Sequence, residues 1–342
     1  MNDICKKWYE KSGPEGDVIV STRIRLARNL RSCPFPSRMN ADDRERVIAE
    51  VQKAIETSPI ANQFTIQSLK ELSQIERVSL VERHLVSPEF ISHPEGRAVL
   101  LMKDESVSIM VNEEDHLRIQ VMCEGFNFEG ALQMADRIDT LLNESLNFAF
   151  DDKLGYLTQC PTNLGTGMRA SLMLHLPALQ ENGTINRIAS NLSKLGLTIR
   201  GTYGEATRPV GALYQLSNQV TLGLSEQEAV DNLKNIAIQL MKQERSARAE
   251  MGKDLEAQDS ICRSVGLLRS ARLLSNDEFM KLISNVRLGI NTGLIGHISL
   301  EDVNALTVRV QPATIQLPEG NALSAAQRDA LRAKVVRESL KE

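Results

Sequence analysis

The sequence lacks most of the features that mark specialised classes of protein. Its five cysteines are odd in number and show no Cys-x-x-Cys spacing, which argues against a disulfide scaffold and against a zinc site. No apolar run approaches the ~18 residues of a membrane span, and the N-terminus shows no apolar signal segment. The net charge of −4 provides no overall positive field for nucleic acid. We therefore expect a cytoplasmic protein that binds neither membrane nor nucleic acid directly and has no dedicated metal site.

The familiar nucleotide-binding motifs are also missing. There is no Gly-x-x-x-x-Gly-Lys-Ser/Thr loop, and no His-Arg-Asp or Asp-Phe-Gly set of a eukaryotic-type kinase. Residues 165–170 fit the Gly-x-Gly-x-x-Ala dinucleotide pattern. However, four residues separate the preceding apolar strand from these glycines, and the acidic partner expected ~20 positions further on is not convincing. Any nucleotide site must therefore be built from other residues.

Arginine is the residue type that stands out, outnumbering lysine by 26 to 14. Arg23 and Arg25 fall on the polar face of a segment that alternates from residue 18 to 26, while Arg118 and Arg200 fall on the polar faces of two further short strands. Two arginines at this strand spacing, ~7 Å apart, repel by about 2 kcal/mol at an effective dielectric of ~20. Such a cluster is reasonable where a polyanion fills it, and a triphosphate is the obvious candidate.

The apolar periodicity predicts an α+β fold, with an antiparallel sheet flanked by helices and a C-terminal helical domain. Helices are expected over residues 41–57, 66–82, 128–148, 168–180 and 184–195, and strands over residues 97–103, 106–112, 116–123, 197–200, 210–216 and 219–223. Arg169 is thus predicted to open a helix after a Gly-rich turn, where free N–H groups attract anions. From Ser225, which begins a capping box with Glu228, helical patterns dominate. We divide the chain into a leader (1–16), a catalytic domain (17–250) and a C-terminal helical domain (251–342).

Four segments resemble the motifs of the phosphagen kinases, the family of creatine and arginine kinases, in order and spacing. They are residues 21–25 (Ser-Thr-Arg-Ile-Arg), 112–119 (Asn-Glu-Glu-Asp-His-Leu-Arg-Ile), 160–166 (Cys-Pro-Thr-Asn-Leu-Gly-Thr) and 200–205 (Arg-Gly-Thr-Tyr-Gly-Glu). That family carries a helical domain before the first motif, covering the guanidine site, and here only a short leader precedes it. We therefore expect the guanidine end of the pocket to be open.

The short leader and the added C-terminal helices are similar to the bacterial protein arginine kinases, a branch of that family which phosphorylates arginine side chains in proteins. The branch carries an Arg-Asp-x-x-Arg-Ala motif near its end, and Arg328, Asp329, Arg332 and Ala333 match it. The resemblance implies transfer of the γ-phosphoryl group of MgATP to a guanidinium nitrogen. It further implies protein substrates such as a heat-shock repressor or misfolded proteins marked for a Clp-type protease, and a zinc-binding activator protein. A homodimer is plausible.

The resemblance also assigns roles to residues. The nucleotide-binding set comprises Ser21, Thr22, Arg23, Ile24, Arg25, His84, Arg118, Arg169, Ala170, Ser171, Leu172, Met173, Arg200, Gly201, Thr202, Tyr203, Gly204 and Glu205. The arginines would hold the phosphates, His84 would lie against the adenine, and Mg²⁺ would be held mainly by phosphates and water.

Three residues would serve the acceptor. Glu114 and Glu205 can each take two N–H groups of a planar guanidinium, and one of them would act as the base. Cys160, expected beside arginines and a helix N-terminus, would help seat the guanidinium as a thiolate. On a helix, Arg328 and Arg332 share one face and would grip the phosphate of a phosphoarginine, while Asp329 pairs with its guanidinium.

Two other functions are compatible with these residues. One is a kinase of free arginine or another small guanidine, which the missing N-terminal domain disfavours. The other is a non-catalytic phosphoarginine-binding protein, which would be expected to have lost an essential carboxylate or phosphate-binding arginine. None of these residues is missing from the chain.

Overall fold

The computed structural model describes residues 5–201 and 209–341. Its strands are β1 (Ile19–Arg28), β2 (Phe64–Ser68), β3 (Ala98–Met102), β4 (Val107–Val111), β5 (Leu117–Glu124), β6 (Phe150–Asp151), β7 (Gly155–Tyr156), β8 (Met168–His175), β9 (Leu197–Gly201) and β10 (Leu213–Asn218). Eight of them form one antiparallel sheet in the order β2-β3-β4-β5-β1-β8-β10-β9, and β6 pairs with β7 as a separate hairpin. The central strands β1, β5 and β8 come from distant parts of the chain, so residues far apart in sequence meet on one surface.

Helices surround this sheet and continue beyond it. They are α1 (Ala41–Glu56), α2 (Gln74–Glu82), α3 (Pro88–Ser92), α4 (Phe128–Leu146), α5 (Pro177–Glu181), α6 (Ile185–Ser193), α7 (Glu226–Met251), α8 (Leu255–Ser270), α9 (Asn276–Asn291), α10 (Leu300–Arg309) and α11 (Ala325–Ser339). Helices α1, α4, α6 and α7 pack on one face of the sheet and bury its apolar side chains. The predicted α+β architecture is therefore confirmed.

Alternation along the strands determines what each face of the sheet carries. In β1, Ile24 and Leu26 are fully buried in the core under α4, whereas Arg23 and Arg25 lie on the opposite face. Burial of each such aliphatic side chain contributes roughly 1.5–3 kcal/mol. This alternation fixes the strand register and leaves the arginines on the face that α4 does not cover.

Among the described residues, the arginine-bearing face is covered at its two ends. At one end, α2 and α3 pack on β3 and β4 through a small apolar cluster that includes Leu80, Phe90 and Met110. At the other end stand the C-terminal helices α8–α11, which have an apolar core of their own. Arg287 of α9 connects these helices to the segment before β1, since its Nη2 donates to the Gly16 carbonyl at 2.9 Å. A cleft remains between these two ends.

A buried carboxylate provides a second connection between the C-terminal region and the rest of the chain. Glu82, at the end of α2, accepts hydrogen bonds from the backbone N–H groups of Ala313 and Thr314 and from the Thr314 hydroxyl at 2.7–3.0 Å. These N–H groups lie at the start of the six-residue 3₁₀ helix Thr314–Glu319. The carboxylate therefore serves as a cap contributed by a distant part of the chain.

Three predictions of local structure are wrong. Residues 66–82 form no single helix, because β2 ends at Ser68 and α2 begins only after a capping box between Ser73 and Glu76. Residues 168–180 form strand β8 followed by the short helix α5, so Arg169 lies within a strand and opens no helix. Over residues 219–223 no strand follows β10, which ends at Asn218.

The other predicted elements agree with the structure to within a few residues. The capping box that begins α7 is present, with the Ser225 N–H donating to Glu228 Oε2 at 2.7 Å. Helix α7 extends to Met251, across the division predicted at residue 250. Within the described residues, every helix is too short or too polar to cross a lipid bilayer.

Candidate active site

Four strands bring five arginines to one region of the open face: β5, β1 and β8 are neighbours, and β9 is separated from β8 by β10. Arg25 of β1 stands opposite Arg169 of β8, and opposite Gln120 of β5, which is two residues from Arg118. On β9, Arg200 pairs with Gln215 of β10, which stands opposite Met173 of β8. Since paired residues of antiparallel strands share a face, all the arginines predicted to bind phosphate lie on the same side of the sheet.

These arginines are close enough to lower one another's pKa values. The pKa of Arg23 is lowered to about 10, first by burial and then by the charges of Arg118 and Arg169. Burial and the same neighbours hold the pKa of Arg25 well below its ordinary value, and the pKa of Arg169 is lowered by burial, Arg118 and Arg200. The Nε atoms of Arg25 and Arg169 are buried without a hydrogen-bond partner among the described residues. A polyanion bound here would offset the repulsion between the guanidinium groups and would accept hydrogen bonds from the unpartnered N–H groups.

The turn between β4 and β5 presents two adjacent carboxylates with different surroundings. Glu113 Oε2 lies 2.6 Å from Arg118 Nη1, and its other oxygen accepts from the Ser87 hydroxyl. Glu114 Oε2 lies 3.7 Å from Arg118 Nη2, and the Glu114 side chain is 39% exposed. Sequence reasoning missed Glu113, which orients Arg118. Glu114 is held more loosely and can face an acceptor.

A buried aspartate links this turn to the segment that carries the cysteine. Asp115 Oδ1 accepts from the side chain of Asn29 at 2.6 Å and from the backbone N–H of Gln159 at 2.7 Å. His116 is buried as well and accepts the Leu30 N–H at Nδ1, at 2.9 Å. The sequence motif contained both residues, but their positioning role depends on contacts that only the fold reveals. Asp115 thereby fixes the backbone of Gln159, the residue before Cys160.

Cys160 is half-buried at the edge of the arginine cluster. Its Sγ lies 3.0 Å from Thr162 Oγ1, and Asn163 of the same segment donates to Glu114 Oε2 at 3.5 Å. The helix N-terminus expected to favour its thiolate is absent, because only a three-residue 3₁₀ helix, Pro161–Asn163, follows it before β8. Arginine is therefore the remaining source of positive charge for a thiolate here.

Replacing Cys160 by alanine is expected to lower turnover without unfolding the protein, since the side chain is small and half-exposed. If Cys160 contacts the acceptor, loss of its side chain should raise the apparent KM for the acceptor more than the KM for ATP. The measurement is steady-state kinetics before and after thiol alkylation. Equal inactivation of the alanine variant by the alkylating agent would move the sensitive thiol to another cysteine.

His84 occupies the junction between the arginine cluster and a second cavity. Its backbone has φ of +61°, a left-handed conformation uncommon for this residue type, and its carbonyl accepts from the Gln120 side chain at 2.7 Å. Burial, and then the charge of Arg23, lower the pKa of His84 to about 4. The imidazole is therefore neutral at pH 7 and adds no charge to the cluster.

The remaining residues predicted to bind nucleotide fall into three groups: those on the cleft side of the sheet, those on its opposite face, and those at or beyond the end of β9. Ser21, Ser171 and Met173 line the cleft side. The side chains of Thr22, Ile24, Ala170 and Leu172 point to the opposite face: Thr22 Oγ1 donates to the Gly125 carbonyl at 2.7 Å, and the other three lie in the core, so these four residues present only backbone to the cleft. Gly201 ends β9, whereas Thr202, Tyr203, Gly204 and Glu205 lie outside the described residues.

The C-terminal Arg-Asp-x-x-Arg-Ala segment forms part of α11, but not as an open binding face. Arg332 is 1% exposed, and it donates to the carbonyls of Val310 and Leu274 at 2.9 and 2.8 Å and to Asp329 at 2.7 Å. Ala333 is fully buried, and Arg328 donates to the Leu323 carbonyl. The expectation that both arginines project from the helix together is corrected, because Arg332 lies on the face of α11 that packs inward.

Comparison with known proteins identifies the fold. A family model described as "ATP:guanido phosphotransferase, C-terminal catalytic domain" matches residues 46–247. The chain belongs to the ATP:guanido phosphotransferase family. A second model, "Protein-arginine kinase McsB C-terminal domain", matches residues 254–342. The protein is thus an ATP-using kinase, as its motifs implied.

Named relatives and solved structures agree with this assignment to the ATP:guanido phosphotransferases. The chain is 45% identical to a protein-arginine kinase of Desulforamulus reducens over 339 residues, covering 98% of this chain and 95% of the relative. Identity to the protein-arginine kinase of Moorella thermoacetica is 44%, with 98% and 97% covered. The duplicated taurocyamine kinase of Schistosoma mansoni, solved with bound transition state analog components, superposes with a TM-score of 0.63 at 29% identity, covering 72% of this chain and 35% of that one.

Proposed function

We propose that this kinase transfers the γ-phosphoryl group of MgATP to arginine side chains of proteins. The observation that carries the proposal is the half-buried arginine cluster with its unmet N–H groups, placed near the partly exposed Glu114 and Cys160. The cluster suits a triphosphate, and the neighbouring carboxylate suits a guanidinium. The name shared by full-length relatives supports arginine side chains as the acceptor.

Positioning and charge neutralisation supply most of the rate in phosphoryl transfer. In the proposed reaction, the five arginines hold the phosphates, with Arg118 fixed by Glu113. Among the described residues no three His, Cys, Asp or Glu side chains converge as metal ligands, so Mg²⁺ would be held mainly by the phosphates and water. Glu114 and Glu205 orient the guanidinium. As the nitrogen–phosphorus bond forms and the bond to the β-phosphate oxygen breaks, one of the two carboxylates takes the nitrogen's proton.

The proposed function is tested by incubating the protein with MgATP and either an unfolded protein or free arginine. We expect acid-labile, base-stable phosphate on the protein substrate. The control substrate is the same protein with its arginine side chains chemically blocked, which should remain unlabelled. Labelling of free arginine alone would replace the proposal by a small-guanidine kinase, and labelling of neither acceptor would contradict transfer to arginine.

The cellular setting is part of the same proposal and rests on the resemblance of the motifs. We expect substrates marked for a Clp-type protease in a stress response, a zinc-binding activator protein, a homodimer and a cytoplasmic location. We also retain the division into residues 1–16, 17–250 and 251–342, which the family matches to residues 46–247 and 254–342 support.

We further propose that the C-terminal motif binds phosphoarginine. In this proposal Arg332 stabilises the fold and Arg328 contacts the ligand. Arg332→Ala is expected to lower the free energy of unfolding by at least about 2 kcal/mol, because it removes a buried charged donor from two carbonyls. Arg328→Ala should cost little stability and should weaken phosphoarginine binding. Chemical denaturation and calorimetry with free phosphoarginine measure the two effects. Unchanged stability in Arg332→Ala would contradict its structural role, and unchanged binding in Arg328→Ala would remove that residue from the proposed site.

A further inference from the structure

A shallow pocket with apolar walls lies next to the loop that carries Cys160, which we call the acceptor loop (residues 160–166). Large apolar side chains that are 36–49% exposed line this pocket: Phe150, Leu154, Leu222 and Leu224. Single exposed apolar side chains are common on protein surfaces, whereas a group of them around one concavity marks an interaction site. The described residues that line the pocket include none of the five clustered arginines, so it is separate from the proposed phosphate site.

The acceptor loop separates the two walls of this pocket. On one side, the Tyr156 N–H of the β6–β7 hairpin donates to the Gly165 carbonyl at 2.8 Å. On the other side, a Cβ atom added to Gly165 would collide with the carbonyl oxygen of Thr221. Gly165 has φ of +104°, a backbone conformation that other residues rarely adopt. The pocket is therefore concave because three stretches of backbone approach closely at a glycine, with Leu154 and Leu222 on opposite sides.

The same loop connects the pocket to the acceptor side of the active site. Thr221 Oγ1 lies 2.9 Å from the Thr162 carbonyl oxygen, so the wall that carries Leu222 is attached to the loop. The next loop residue, Asn163, donates to Glu114 Oε2 at 3.5 Å. One face of the loop thus contacts the carboxylate proposed to orient the guanidinium, and its far end lines the apolar pocket.

The pocket lies within reach of a polypeptide whose arginine occupies the acceptor site. Gly165 follows Cys160 by five residues in the sequence, so the two are at most about 18 Å apart. An extended substrate chain covers about the same distance in five or six residues. A substrate that presents an arginine to Glu114 and Cys160 can therefore place a nearby side chain at the pocket.

The size of the pocket favours a short extended segment as its occupant. Thirteen residues line it, fewer than the roughly 20–30 that each partner contributes to a stable protein–protein interface. A folded partner or a second copy of this chain would need more surface than this. In an extended segment, alternate side chains point to the same side, so one of them can enter a pocket while the main chain passes over it.

We propose that the pocket binds an apolar side chain of the protein substrate, a few residues from the acceptor arginine. The inference rests on the proposed function and adds a sequence preference to it. Arginines close to accessible apolar residues are then phosphorylated faster than arginines in polar surroundings. Because folded proteins bury most of their large apolar side chains, this preference favours unfolded chains as substrates.

The test uses peptides that contain one arginine in a chain of serine and glycine. Leucine replaces one serine at a time, at each position up to about six residues before or after the arginine. We expect leucine at a small number of these positions to raise kcat/KM about tenfold, mainly through a lower KM for the peptide. The gain falls on KM because burial of the side chain stabilises the bound substrate and the transition state alike.

Variants of the pocket should remove this preference. Leu222→Asp places a charge in one wall, at a side chain that is 49% exposed and outside the core. We expect it to phosphorylate leucine peptides no faster than the serine peptide, with unchanged activity on the serine peptide. Leu154→Asp repeats the test from the other wall if Leu222→Asp does not fold. Leu255→Asp makes the same change on α8, at a side chain that is 76% exposed and outside the pocket, and should keep the preference.

Three results would overturn the inference. The first is equal kcat/KM for the leucine and serine peptides at every position in the wild type, and the second is a preference that both pocket variants retain. The third is loss of activity on all peptides together with a change in sedimentation, which would assign the pocket to a contact between copies of the chain. Phosphate on none of the peptides and on no unfolded protein would instead contradict the proposed function itself, and this inference with it.

Discussion

Replacing Arg25 by methionine is expected to stabilise the ligand-free protein and to abolish its use of ATP. Arg25 is half-buried beside Arg23, Arg118 and Arg169; removal from water, and then the charges of these arginines, hold its pKa well below the ordinary value, and its Nε lacks a partner in the described structure. Methionine has a similar length, adapts to the space and carries no charge. Exchange of a buried charge for an apolar side chain often stabilises by about 1–4 kcal/mol.

The same change removes a donor to the phosphates. Arginines that stabilise a transferring phosphoryl group contribute roughly 10³–10⁵ in rate, so kcat/KM for ATP should fall at least about a thousandfold. The two measurements are urea unfolding without nucleotide and steady-state kinetics. The free energy of unfolding should rise while kcat/KM for ATP falls. Replacement of a residue that only supports the fold would not give this combination.

Two control variants test whether these effects are specific to Arg25. Arg46, exposed on α1, provides a matched Arg46→Met change that should alter neither measurement appreciably. Arg25→Lys keeps the charge but not the two-pronged geometry, and should lose activity without the gain in stability. A less stable Arg25→Met protein with normal ATP kinetics would show that the cluster is not the phosphate site.

Glu114→Gln is expected to lower kcat by about 10²–10⁴ while the dissociation constant for ATP stays within about threefold. Its long contact with Arg118, 3.7 Å, and its 39% exposure mean that loss of the charge leaves the fold intact. The change keeps size and removes the oxygen that takes the guanidinium proton. The same outcome is expected for Glu205→Gln from the sequence motif.

The neighbouring carboxylate provides the control. Glu113 lies 2.6 Å from Arg118, so Glu113→Gln should mainly raise the KM for ATP by loosening Arg118, with a smaller change in kcat. Binding of ATP by calorimetry and rapid-quench rates of phosphoryl transfer separate the two effects. If Glu114→Gln kept more than about a tenth of the wild-type kcat, Glu114 would not be the base or an essential orienting group.

The sequence predicted the arginine surface because a strand's alternation is a local property. Ile24 and Leu26 specify which side of β1 is buried, and Arg23 and Arg25 must then lie on the other. The prediction failed for β8, where Ala170, Leu172 and Met173 belong to residue types that favour helices. Hydrogen bonding to β1 on one side and β10 on the other decided the outcome there, and such pairing is not visible in one segment.

Sequence patterns could not identify residues whose roles depend on contacts with parts of the chain that are far away in sequence. Glu113 and Glu114 are adjacent carboxylates in one motif, and only the turn between β4 and β5 shows which of them grips Arg118. Likewise, the spacing of Arg328 and Arg332 predicts a shared helix face but not whether that face is buried. The carbonyls that bury Arg332 belong to Leu274 and Val310, in other elements of the C-terminal region.

The cap that Glu82 provides has a consequence for how the protein opens. Helix α2 cannot separate from the 3₁₀ helix at Thr314 without leaving a buried carboxylate and several backbone N–H groups unsatisfied together. We therefore expect the two elements to open together, so that hydrogen exchange should show similar protection for the amides of both. His84 lies two residues after Glu82. The position of His84 in the nucleotide cleft therefore depends on the folding of the segment around Thr314, which is more than 200 residues away in the sequence.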